Sequence, residues 1–272
     1  MSDSAIGIFD SGLGGLTAVK ELVKVLPNEN IVYFGDTARV PYGNRSKKTI
    51  IKYAEQDASF LLSKGVKMII AACGTVSSVA TGLRDTLPVP FTGVVDPTAD
   101  AAVRATRNGK IGVIGTSATV NSQSYKKAIL SKNENIKVYQ QDCPLFVSLV
   151  ENGFISEEDQ IVQLVVERYL EKLKNQNIDT LILGCTHFPI IARAISDYLG
   201  DHVTLIDSGK ETALYAAHLL SSNELLNTSN HAGACSYYVS DTVESFMHTA
   251  EIFLGQSVEK VKHINIEQAA LQ

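Results

Sequence analysis

The chain has 272 residues with a net charge of −5, and 45% of its residues are hydrophobic and 19% charged. That length accommodates two domains, each able to bury a core. No window approaches the roughly 18 apolar residues of a membrane span, no basic block of the kind that tracks phosphates is present, and the cluster Arg45, Lys47 and Lys48 reads as a solvated helix start, so neither a membrane nor a nucleic-acid partner is expected. In chain order, strand-like apolar runs fall at 6–9, 31–34, 68–72 and 91–95, then at 111–114, 136–139, 180–183 and 203–206. Helical periodicity lies between them. It covers 17–26, with Val19, Leu22, Val23 and Leu26 in phase until Pro27, and 46–63, which ends near Gly65. It returns at 157–174, with Ile161, Leu164, Val165 and Leu173 on the apolar side, and at 190–199, where Pro189 stands near the start and Gly200 at the end. After Ser208 the segments 214–220, 236–239 and 243–253 read as helix, strand and helix. The first residues, MSDSAIGIFD, lack the basic stretch and cleavage site of a secretory leader, and a cytoplasmic protein is expected.

Alternating strands and helices predict an α/β protein with largely parallel sheets. An internal echo refines this. IGIFDSGLGG at Ile6 recurs as IGVIGTSATV at Ile111, 105 residues on, and Cys73 recurs as Cys185 after 112. Two copies of one α/β unit are therefore expected, residues 1–96 plus 207–272 forming the first and 97–206 an inserted second.

Ligands of open α/β sheets bind beyond the carboxyl ends of the strands. The residues there are Asp10 and Ser11, Asp36, Cys73 and Thr75, Thr116, Cys185 with Thr186 and His187, and Asp207 with Ser208. Four cysteines without a CxxC pair argue against zinc, and a reducing compartment against disulfides; Cys143 and Cys235 read as packing residues. The turn DSGLGG meets neither the dinucleotide spacing nor the Walker pattern, so no cofactor phosphate has an evident cradle. A thiol at a strand end facing a helix N-terminus is expected to have its pKa lowered from about 8.5, which favours thiolate. Two such thiols across one cleft would remove a proton from one face of a carbon and return one to the other, inverting a stereocentre. His187 would support Cys185, or serve simply as a structural histidine.

Together GIFDSGLGGLT, YFGDTARVPYG, AACGTVSS, IGVIGT, LILGCTHFP and LIDSG resemble, in order and over nearly the whole chain, the cofactor-independent glutamate racemases of the aspartate/glutamate racemase superfamily. The resemblance implies two pseudo-symmetric α/β domains with the active site between them, neither metal nor pyridoxal phosphate, and interconversion of L- and D-glutamate to supply D-glutamate for peptidoglycan. It implies a homodimer. Cys73 and Cys185 would be the catalytic acid/base pair, assisted by Asp10 and His187 respectively, with Glu151 a further member of the network. Ser11, Thr75, Thr116, Thr186 and the turn Pro41, Tyr42, Gly43, braced by Asp36, would hold the substrate. One position departs from the pattern, ACNT: Gly74 stands where the family commonly has asparagine, so backbone or water would replace a side-chain amide there. Racemisation of aspartate or another small acidic amino acid, and non-catalytic dicarboxylate binding, are the alternative readings.

Overall fold

The computed structural model describes residues 3–269. Among the described residues ten strands lie in two sheets: β1 (Ile6–Asp10), β2 (Ile31–Gly35), β3 (Met68–Ala71), β4 (Phe91–Gly93), β5 (Lys110–Gly115), β6 (Lys137–Asp142), β7 (Thr180–Leu183), β8 (Thr204–Asp207), β9 (Cys235–Val239) and β10 (Val261–His263). The first sheet has the order β10-β9-β2-β1-β3-β4 and the second β6-β5-β7-β8, and every pairing is parallel. The succession β2-β1-β3-β4 thus repeats as β6-β5-β7-β8, and the two cysteines follow the third strand of each set. The sequence echo is a topological one.

The α-helices in chain order are α1 (Leu16–Val25), α2 (Lys47–Ser63), α3 (Gly74–Val79), α4 (Val95–Ala105), α5 (Ser117–Ser122), α6 (Ser124–Lys132), α7 (Pro144–Glu151), α8 (Gln160–Lys174), α9 (Ala192–Leu199), α10 (Ser208–Ser222), α11 (Val243–Leu254) and α12 (Ile266–Ala269). Several starts are set by side chains that satisfy free N–H groups. Ser46 accepts from Thr49, Asp159 from Ile161 and Val162, and Asp207 from Gly209 and Lys210.

The central strands are buried on both faces, so alternate residues feed different cores. From β1, Ile6 and Ile8 enter a cluster that runs on through Leu181, Cys185 and Phe188 to Phe246 and Phe253, joining the two sheets; Phe9 points to a separate core with Phe34, Phe60 and Leu61. Ile111 and Val113 of β5 enter a third core with Ala99, Ala102 and Ile129, beneath α4 and α6. Helix α10 packs on both α1 and α4, which ties the end of the second sheet back to the first.

Four sequence expectations are corrected. The run 91–95 is strand only to Gly93, because α4 starts at Val95 with Pro97 in its first turn, where a missing N–H costs little. The helix expected from 190 is a 3-10 turn at Phe188–Ile191 before α9 begins. In α8 the buried stripe is Val162, Val166, Leu170 and Leu173, while Ile161 and Leu164 are 49% and 65% exposed; two apolar stripes share the helix, and only packing chooses between them. Val23 of α1 is likewise exposed. Among the described residues no helix is long and apolar enough to cross a membrane.

Candidate active site

Strand β1 ends at Asp10, whose buried carboxylate accepts the Gly12 N–H at 3.0 Å through Oδ2. Its Oδ1 is buried with no hydrogen-bond partner among the described residues. The Tyr33 hydroxyl donates to the Gly12 carbonyl at 2.8 Å and pins the glycine turn from β2. Cys73 follows β3, and its thiol donates to Ser11 Oγ at 3.5 Å. Across the cleft, Cys185 Sγ lies 3.8 Å from His187 Nδ1, and His187 Nε2 lies 3.0 Å from Glu151 Oε1 at the end of α7. The His187 ring meets Phe253 of α11 edge-on, with centroids 5.2 Å apart. The sulfurs are nearly enclosed, Cys73 being 5% exposed and Cys185 6%.

The two strand ends touch. Thr75 and Thr116 share a hydroxyl hydrogen bond of 3.0 Å, and Thr116 Oγ1 donates onward to Thr119 at 3.1 Å. The Thr17 hydroxyl on α1 lies 2.9 Å from the Gly14 carbonyl and 3.0 Å from that of Thr186. A Cβ added at Gly74 would stand 3.8 Å from Cys185 Cα, and one added at Gly43 3.2 Å from Thr116 Cβ. Asp10, Ser11, Gly43, Cys73, Gly74, Thr75, Thr116, Cys185, Thr186, His187 and Glu151 therefore form one connected seam. An open groove of about 1230 Å³ passes beside it, between Arg45, Ser78, Arg84 and Lys127, and neither sulfur lines that groove.

The turn at Pro41 has its own support. Asp36 accepts from Arg39 Nε at 2.6 Å, from Ser240 at 2.8 Å and from the Tyr42 hydroxyl, while Arg39 Nη2 reaches Asp57 at 3.0 Å. Tyr42 Oη also lies 3.0 Å from Asp57 Oδ2, so the phenol is turned inward and Gly43 is what faces Thr116. Pro41 is exposed and follows a cis peptide. Asp207 and Ser208 serve the fold instead: the first caps α10, and the second donates to the Leu183 carbonyl at 3.0 Å.

The Asp/Glu/Hydantoin racemase family model matches residues 16–216. A glutamate racemase of Geobacter metallireducens is 44% identical over 264 residues, covering 97% of each chain. The crystal structure of glutamate racemase from Francisella tularensis in complex with D-glutamate superposes with a TM-score of 0.91 at 40% identity, covering 98% of this chain and 100% of that one. The Thermus thermophilus glutamate racemase, in complex with beta-chloro-D-alanine, gives 0.88 at 42% identity, covering 98% and 99%. The chain belongs to the Asp/Glu/Hydantoin racemase family.

Within this racemase-family site the two thiols differ electrostatically. Burial, with the Asp10 carboxylate next to it, pushes Cys73 up to about 12, against smaller opposing effects from Ser11 and the Val76 N–H. The expected lowering of this thiol is therefore corrected: α3 has only six residues, and desolvation outweighs its partial positive end. Burial alone would lower His187, but its hydrogen bonds to Cys185 and Glu151 prevail and raise it to about 10, so the ring is an imidazolium at neutral pH. Burial raises Asp10 above the usual carboxylate range, and the charge of His187 opposes this. Cys73 is thus held as a neutral donor, while Cys185 lies against the His187 ring.

Sequence reasoning missed Thr17, Thr119, Arg39, Asp57 and Phe253. The capping spacing of Thr116 and Thr119 was a readable signal. Thr17 and Phe253 carried none, since their partners lie 169 and 66 residues away in sequence. Among the described residues no group of three His, Cys, Asp or Glu side chains is placed to hold a metal ion.

Proposed function

We propose that this protein interconverts L- and D-glutamate without a cofactor, Cys73 and Cys185 acting on opposite faces of the α-carbon. The observation that carries the reading is the meeting of two cysteine loops from topologically equivalent strands, each with its own polar partner: Asp10 and Ser11 for one, His187 and Glu151 for the other. A thiolate takes the α-proton; the C–H bond breaks, an S–H bond forms, and the electron pair passes into the substrate carboxylate group. The opposite thiol then gives its proton to the other face, leaving the protonation states of the two sulfurs exchanged. Ser11, Gly74, Thr75, Thr116 and Thr186, with the backbone of Pro41, Tyr42 and Gly43, hold the substrate's polar groups. His187 orients Cys185 through their hydrogen bond, and Asp10 keeps Cys73 basic enough to reclaim a proton from carbon.

The division into 1–96 plus 207–272 and 97–206 belongs to the same proposal, supported by which strands share each sheet. So do a cytoplasmic homodimer, testable by light scattering, and supply of D-glutamate for peptidoglycan.

Circular dichroism of L-glutamate incubated with the protein tests the activity. Loss of optical rotation is expected for the wild type and for Cys143→Ala and Cys235→Ala, and none for Cys73→Ala or Cys185→Ala. Full turnover in either of the last two overturns the two-thiol route. Turnover of L-aspartate alone favours the aspartate alternative, and bound glutamate that never racemises favours a binding protein.

A further inference from the structure

Three side-chain oxygens meet in a row beneath the Pro41 turn. Tyr42 Oη bonds to Asp36 Oδ2 on one side and stands 3.0 Å from Asp57 Oδ2 on the other. Two such contacts need two hydrogens, and a phenol has one. The second must come from a carboxyl group, since bare oxygens held at that distance away from water repel each other. Asp36 has no room for it. It already accepts from Arg39 Nε at 2.6 Å, from Tyr42 and from the Ser240 hydroxyl at 2.8 Å, and Ser240 in turn accepts the Ala38 N–H at 2.9 Å. Asp57 accepts from Arg39 Nη2 through Oδ1 at 3.0 Å, which leaves Oδ2 able to carry a hydrogen. Both carboxyl side chains are 0% exposed and lie on the one guanidinium of Arg39, so a single proton also brings the buried cluster to neutrality.

We propose that Asp57 is a protonated positioning residue: its carboxyl hydrogen, given to the Tyr42 oxygen, locks the phenol onto Asp36 and so fixes the Pro41, Tyr42, Gly43 turn beside Thr116. The inference rests on the racemase reading above, in which the backbone of that turn holds the substrate. The surrounding charges agree with it. Burial and the Asp36 carboxylate raise Asp57 well above the usual carboxylate range, against smaller opposing effects from Arg39 and Tyr42, and the charge of Asp10 adds to the rise. Of the other elements packed on α2, α3 has no charged side chain, and Arg84, Asp85 and Glu267 are exposed. The two thiols and their partners lie outside this network, so loosening the turn weakens substrate binding more than it slows the proton transfers.

Asp57→Asn and Asp57→Leu, compared with the wild type, test this. Asparagine keeps a carbonyl toward Arg39 and offers an N–H to Tyr42, whereas leucine has the same branching and neither group. In Asp57→Leu the KM for glutamate is expected to rise on the order of tenfold, the effect of one buried hydrogen bond left unmade, with kcat changed less. Asp57→Asn is expected to bring KM back to near the wild-type value. The unfolded chain ionises Asp57 around pH 3.8 and the folded protein only well above that, so wild type loses stability relative to Asp57→Asn as pH rises. Urea unfolding of both at about pH 5 and about pH 7 should show this, the ratio of unfolding constants moving close to tenfold for each pH unit. A ratio that does not move, KM raised as far in Asp57→Asn as in Asp57→Leu, or wild-type KM in Asp57→Leu overturns the inference. Should Asp57→Leu not fold, the unfolding comparison decides alone. Failure of the wild type to racemise glutamate would remove the functional reading instead, while the unfolding comparison would still report on the Asp57 proton.

Discussion

His187 binds the second half of the site together, touching Cys185, Thr186, Glu151 and Phe253 from one ring. Because its partners raise its pKa from 6.5 to about 10, the folded protein holds a proton that the unfolded chain gives up earlier. Stability from this pairing is therefore fully present below pH 6.5, erodes as pH rises, and is gone once pH passes about 10. Urea midpoints of wild type and His187→Asn measured across this range should converge toward alkaline pH; a constant gap would sink the assignment. At this scale much was readable beforehand, because a cysteine or aspartate that ends an apolar run has few positions open to it. The charge state of Cys73 was not readable. It depends on burial and on Asp10, which lies 63 positions away in sequence and next to it in space.

The C-terminal elements reach back to the chemistry. Helix α11 contributes Phe246 and Phe253 to the core that joins the sheets, and Phe253 meets the His187 ring edge-on. Phe253→Ala should cost about 3–5 kcal/mol in denaturant unfolding. The milder Phe253→Leu should keep the fold and still lower kcat, because the imidazolium loses the face that fixes its orientation. Unchanged kcat in Phe253→Leu would show that the ring is held by Glu151 alone. Strands β1 to β9 were largely visible as apolar runs, and long helices such as α2 as periodic ones. The short helices α3, α5 and α7 were not, since six to eight residues carry too little period to separate from loop. Strand β10, only three residues long with two of them exposed, had no apolar run to announce it.

As a whole the molecule repeats one four-strand order in its two sheets, and the seam joins loops that follow strands of both. Any ligand of the seam bridges both halves, so binding must stabilise the complete fold. Glutamate at a hundred times its Kd should raise the unfolding free energy by about 2.7 kcal/mol. A melting temperature indifferent to glutamate would argue that the seam is not where it binds. Residues 1–272 carried the duplication, the strand-end chemistry and the family pattern in their order alone, because periodicity and strand ends are local properties that neighbouring residues impose on one another. The depth to which Cys73 is buried, the stripe of α8 that meets the core and the Thr186 carbonyl that Thr17 meets were set only when distant segments packed. Each of these is a contact between surfaces, and no stretch of chain contains both sides of it.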